Sequence, residues 1–200
     1  MDSVKTFKLF PVPVFEYQIP NHEKINLELK KYIYKNKEKD PKGVEISNAG
    51  GWHSQNFDID KSLIIKKFFG KITHVLPDIF NNQMGWSCKI EQIRIMNIWS
   101  VVNHKNTFNI RHQHPNSFFS AAYYVQTNAN AGQIKFFDPK EVNVMYHPTI
   151  NEPNEFTSHV VKIKPEEGKL LLFPSYLHHA VGENLSDEDR IVISFNINIL

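Results

Sequence analysis

Three histidines have the residue type and spacing to hold a metal ion. His112 and His114 stand two apart in His112-Gln113-His114-Pro115-Asn116-Ser117, directly before the apolar run from Phe118 to Val125. Side chains alternate along an extended segment, so residues two apart face the same side. Two neighbouring imidazoles suit two ligands of one metal ion. Downstream, Pro174-Ser175-Tyr176-Leu177-His178-His179-Ala180-Val181 offers a third. Gly168 and Pro174 ahead of His179 fit a strand, a tight turn and a returning strand that delivers an imidazole. Three such ligands leave up to three positions open on an octahedral ion, which suits Fe(II) taking up substrate and O2. They would equally suit Zn(II) with water in the fourth position.

The elements that must position these residues change character along the chain. Phe7 to Ile19 is aromatic and β-branched, and Pro11 and Pro13 confine it to an edge strand or extended arm. Asn21 is the expected cap of a helix whose apolar face is Ile25, Leu29 and Ile33, running to about Asn36 and stopped by Asp40-Pro41 and Gly43. Asn48-Ala49-Gly50-Gly51-Trp52-His53-Ser54 forms a loop, read most simply as a turn with its Trp tucked into the core. Asp60 is the expected cap of a second helix along Ile64, Phe68, Ile72, Val75, Leu76 and Ile79, with a kink or break at Pro77 and an end at Gly85.

From Trp86 the period becomes that of strands. Ile90–Trp99, Thr107–Ile110, Phe118–Thr127, Gln133–Phe137, Phe156–Ile163, Lys169–Phe173 and Ile191–Ile199 are separated by turn-forming residues. This order predicts a mainly β chain, a jelly-roll core (86–200) with an N-terminal arm and two helices (1–85) packed outside it, all one domain. In the last strand Ile191, Ile193, Phe195, Ile197 and Ile199 face one way, and Arg190, Val192, Ser194, Asn196 and Asn198 the other. That polar face belongs either to solvent or to a ligand-lined barrel interior.

The near-neutral charge argues neither for nor against nucleic acid. The 200 residues carry 23 Lys/Arg against 21 Asp/Glu, and no basic block suggests a nucleic-acid groove. The single cysteine, Cys88, leaves no internal disulfide and reads as a small core residue. No signal peptide and no run near the roughly 18 apolar residues of a membrane span are expected, so the chain reads as cytoplasmic. His22, His74, His104, His147 and His159 lie in helix, loop or strand settings and are read as structural or exposed.

The His112–Val125 and Phe173–Val181 segments, with Arg190-Ile191-Val192-Ile193-Ser194-Phe195-Asn196, resemble a family of 2-oxoglutarate/Fe(II)-dependent oxygenases of marine bacteria and their phages, related to the prolyl hydroxylases. Leu9-Phe10-Pro11-Val12-Pro13-Val14 and the Gly50–Ser54 loop are similar to that family as well. The resemblance implies a double-stranded β-helix holding Fe(II), with His112 and His179 as ligands and His178 as a mere neighbour. It implies that Arg190 pairs with the C5 carboxylate of 2-oxoglutarate, a contact a planar guanidinium can make twice. Tyr124 would share that carboxylate. The reaction implied is hydroxylation of an unidentified small-molecule or protein substrate by O2, with succinate and CO2 as co-products.

Three positions depart from the pattern. His114 stands where the wider superfamily has Asp or Glu, which makes the triad three neutral imidazoles. Val192 replaces a serine that assists the arginine, and Ala121 replaces a glycine. The alternatives are a cupin-like three-histidine metalloprotein that does not use 2-oxoglutarate, and a binding or structural module without catalysis. The first lacks the expected glutamate after His-x-His and leaves Arg190 unexplained.

Overall fold

The computed structural model describes residues 4–140 and 148–200. His147 and part of the Asp138–Asn154 segment, a candidate rim for the site, lie outside the described residues.

Eleven described strands form two sheets: β1 (Phe15–Gln18), β2 (Asn48–Ala49), β3 (Trp52–His53), β4 (Ile93–Asn103), β5 (Phe108–His112), β6 (Phe119–Gln126), β7 (Ile134–Phe137), β8 (Val160–Ile163), β9 (Lys169–Pro174), β10 (His179–Val181) and β11 (Arg190–Ile199). The larger sheet has the order β1-β9-β6-β11-β4-β3 and the smaller β2-β5-β10-β7-β8. From β4 onward the chain passes back and forth between the sheets, and the described strands pair antiparallel throughout. This is a jelly-roll arrangement. The sheets also recruit β1, β2 and β3 from the N-terminal 85 residues.

Two apolar clusters follow from strand alternation. Phe119, Ala121, Tyr123 and Val125 of β6, with Ile191, Ile193, Phe195 and Ile197 of β11, pack outward into one core. Helix α1 (Glu23–Lys39) adds Ile25, Leu29 and Ile33 to that core, and α2 (Leu63–Ile72) adds Ile65, Phe68, Phe69 and Ile72. Each such side chain, fully buried, contributes about 1.5–3 kcal/mol. The intervening residues Ala122, Tyr124 and Val192 point between the sheets and meet Ile134 and Phe136 of β7. The polar face of the last strand is therefore interior lining.

Several boundaries differ from expectation. The α1 N-cap is His22, while Asn21 adopts a left-handed backbone (φ 49°), and the helix runs on to Lys39. Ser62 caps α2 through its side chain, not Asp60, and Asp58 accepts the backbone N–H groups of Asp60 and Lys61. Pro77 falls in a separate short helix α3 (Val75–Asp78), where its missing N–H is tolerated, followed by a π-helical turn (Ile79–Gln83). Residues 90–92 form a 3-10 turn before β4. Trp52 is buried, and its Nε1–H donates to the Asp40 carbonyl oxygen at 2.7 Å, locking the loop after α1 against β3. His104 has partners: its Nδ1 lies 2.5 Å from Asp189 Oδ1, and Lys37 Nζ lies 2.7 Å from its Nε2.

A candidate metal and 2-oxoglutarate site

The cavity between the sheets brings His112, His114, His179, Tyr124 and Arg190 together. A direct pairing across the smaller sheet sets His179, the first residue of β10, opposite His112, the last of β5. A register irregularity in this strand pair, where Val181 meets Asn109, lets both Asn109 and His112 line the cavity. Bulges of this kind re-aim a side chain beside a site. His114 lies beyond the strand, in the turn that ends at β6, so strand alternation alone does not place it. Its backbone N–H donates to the Ser175 carbonyl at 3.0 Å, tying this turn to the end of β9.

The three ring centroids lie 4.2 to 5.2 Å apart, and one nitrogen from each ring falls within 4.8 Å of the others. The outer nitrogens are all engaged. His112 Nδ1 is 2.7 Å from Ile110 O, His179 Nδ1 is 2.9 Å from Leu177 O, and His114 Nδ1 is 2.8 Å from Asn196 Oδ1. Oxygens of these kinds only accept, so each Nδ1 carries the proton. Each Nε2 is left with a lone pair, the tautomer a metal needs. Burial lowers all three ring pKa values, to about 4 for His114 and about 3 for His179, and His112 adds to the effect on His179. His178 stays outside the cluster.

Arg190, at the start of β11, is 1% exposed. Its Nη1 donates to the carbonyls of Ala131, Gly132 and Gly182. Its Nε and Nη2 have no partner among the described residues. Burial lowers its pKa to about 10, which leaves it charged at neutral pH. A buried guanidinium with two free donors in a cavity asks for an anion, and a carboxylate matches its planar fork. Tyr124, in register with Val192, lines the same cavity, and burial raises its hydroxyl pKa to about 12. These residues fit both groups: three neutral nitrogen donors for a metal, and orphaned cationic donors for a dicarboxylic acid.

Other neighbours carry no sequence signal of their own. Trp99 meets His114 edge-on, with centroids 5.3 Å apart, and stacks on buried His53 at 5.8 Å. Asn196 is bonded to Ser120, and Ser120 to Ser175, joining strands far apart in the chain. Only the parity of Asn196 with Arg190 along the last strand hints that it faces inward.

The family model described as "Putative 2OG-Fe(II) oxygenase" matches residues 97–196. No curated protein matches by sequence. In fold, the chain is similar to a prolyl-4-hydroxylase from Pseudomonas putida, with 12% identity, TM-score 0.66 and 94% of each chain covered. It is also similar to HygX from Streptomyces hygroscopicus, determined with nickel and 2-oxoglutarate bound, with 9% identity, TM-score 0.64 and 94% and 83% of the two chains covered. A Trichoplax adhaerens prolyl hydroxylase, determined with a peptide of hypoxia inducible factor, follows with 15% identity, TM-score 0.63 and coverage of 92% and 82%. The match spans half the chain and contains every residue of the histidine cluster together with Arg190 and Tyr124, and the chain accordingly belongs to the 2-oxoglutarate- and Fe(II)-dependent oxygenase family.

Proposed function

We propose that this protein, as a single domain, hydroxylates a small-molecule or protein substrate using O2, with Fe(II) held by His112, His114 and His179 and 2-oxoglutarate held by Arg190 and Tyr124. The observation that carries the reading is the pair of unpartnered donors on buried Arg190, in the same cavity as three imidazoles. When bound, Fe(II) and 2-oxoglutarate supply the O2 activation that oxidises a substrate C–H bond, with succinate and CO2 as co-products.

The chain's own residues orient and enclose. The carbonyls of Ile110 and Leu177 and the amide of Asn196 fix each ring with its Nε2 inward. Three backbone carbonyls clamp Nη1 of Arg190, so its other two nitrogens present a fixed fork to the distal carboxylate. With Val192 beside Arg190 in place of a serine, the Tyr124 hydroxyl is the remaining group suited to share that carboxylate. Phe173, Ile134 and Val192 provide the apolar wall that keeps water from the cofactor. A three-histidine centre without 2-oxoglutarate would leave Arg190 charged, buried and unused.

The test is turnover without added substrate. Wild type with Fe(II), 2-oxoglutarate and O2 is expected to form succinate slowly, while Arg190→Ala and His179→Ala form at least ~100-fold less. Equal succinate from wild type and Arg190→Ala would defeat the reading.

A further inference from the structure

Buried on the inward face of β11, Asn196 makes contacts that assign it a definite task. Its Oδ1 receives two hydrogen bonds, from His114 Nδ1–H at 2.8 Å and from the Ser120 hydroxyl at 2.9 Å. Ser120 Oγ in turn lies 2.8 Å from Ser175 Oγ. The backbone of Ser175 accepts the N–H of His114 and donates to the carbonyl of Phe118, both at 3.0 Å. Ser120 and Ser175 are fully buried, and Asn196 is 8% exposed. The result is a closed circuit, His114–Asn196–Ser120–Ser175–His114, drawn from β11, β6 and the end of β9. It holds His114 at its ring and at its backbone.

The other two rings of the cluster are fixed differently. His112 and His179 each lean on a carbonyl two residues before them, inside their own segment. His114 depends on a side chain 82 residues away. It is also the ring that follows the end of its strand, where the backbone does not dictate direction. The amide of Asn196 presents its oxygen, not its nitrogen, to both His114 and Ser120. A carbonyl-type acceptor on Nδ1 selects the Nε2 lone-pair tautomer and raises the ring's donor strength toward a metal.

We propose that Asn196 is the positioning residue that makes His114 a metal ligand, with Ser120 and Ser175 fixing the amide. This rests on the reading of His114 as third ligand, and the test separates the two. Co(II) alone is titrated into wild type, His114→Ala, Asn196→Ala and Asn196→Asp, following affinity and the visible d–d absorption of the bound ion. Asn196→Ala is expected to weaken Co(II) binding tenfold or more, within the ~10–100-fold range for outer partners of ligands, and to alter the absorption band. Asn196→Asp keeps an acceptor on Nδ1 and is expected to bind Co(II) at least as tightly as wild type.

Co(II) affinity and spectrum unchanged in Asn196→Ala, with His114→Ala weakened, would overturn the positioning role and leave the triad intact. Unchanged affinity in His114→Ala would instead overturn the triad on which the proposal rests. A lowered melting temperature of metal-free Asn196→Ala with wild-type Co(II) affinity would mark Asn196 as merely structural and overturn the proposal. Should Asn196→Ala not fold, Asn196→Asp decides: affinity below wild type overturns the role, and equal or tighter binding supports it.

Discussion

Three imidazoles packed within 4.8 Å of one another cannot all be charged without a large cost, and burial already favours their neutral forms. In the metal-free protein His179 holds a pKa of about 3, well below the ~6.5 of an unfolded histidine. A base depressed in the folded state is protonated first in the unfolded chain, so its contribution is complete above pH ~6.5 and is lost as pH falls toward the folded value. Metal-free protein is therefore expected to lose stability as pH falls from about 6.5 toward 3, chiefly through burial of the His179 ring, with its neighbours His112 and His114 adding to the effect. Urea unfolding across that range measures it, and His179→Phe should flatten the profile; an equal slope in the variant would refute the assignment. His112 and His114 could be picked out in the sequence from their spacing and His179 from the turn ahead of it, whereas Arg190 and Tyr124 were reached through the family resemblance. The role of Asn196 could be reached by neither route, since a hydrogen bond spanning 82 residues leaves no periodic trace.

Among the elements, the turn before β7 does more than connect strands. Gly132 has φ 77°, and a Cβ there would lie 2.2 Å from the Gly182 carbonyl oxygen. The Ala131, Gly132 and Gly182 carbonyls are also the ones that clamp Arg190. Gly132→Ala is expected to cost at least ~2 kcal/mol of stability, since both the left-handed backbone and the close approach are violated. It should also weaken 2-oxoglutarate binding by disturbing the clamp, measurable by denaturant unfolding and calorimetry on the same preparation. Wild-type values in both would show that the turn is free to adjust. The alternation of β11 was readable because Ile191, Ile193, Phe195 and Ile197 recur on one face and Arg190, Ser194 and Asn196 on the other, although its pairings with β6 and β4 each contain a register shift that the sequence does not signal. Helix caps were misplaced by one or two residues: Asn21 takes a left-handed backbone just ahead of α1, and before α2 Asp58 accepts the N–H groups of its own turn while Ser62 caps the helix. The irregularity in β5 gives no compositional signal, so the direction of His112 was reached through a simpler geometry than the one the chain uses.

Across the molecule, both sheets converge on one cavity while the helices cover only the outer face of the larger sheet. No helix among the described residues is long and apolar enough to cross a membrane. The broad architecture was legible because two helical periods give way to many short strands, although β1, β2 and β3 join the sheets from the part read as arm and loop. Ligands that bind only the folded state stabilise it, by about 2.7 kcal/mol at a hundredfold excess over Kd. For a chain of this size Co(II) at that excess should raise Tm by roughly 5–10 °C, and His112→Ala should abolish the rise. A rise that survives in the variant would place the ion elsewhere. The most direct test of the whole account is anaerobic calorimetry of 2-oxoglutarate with Fe(II)-loaded wild type and Arg190→Ala. Micromolar binding that requires both the metal and Arg190 is the predicted result. Metal retained by the histidines with no 2-oxoglutarate binding in wild type, or with equal binding in Arg190→Ala, would contradict it.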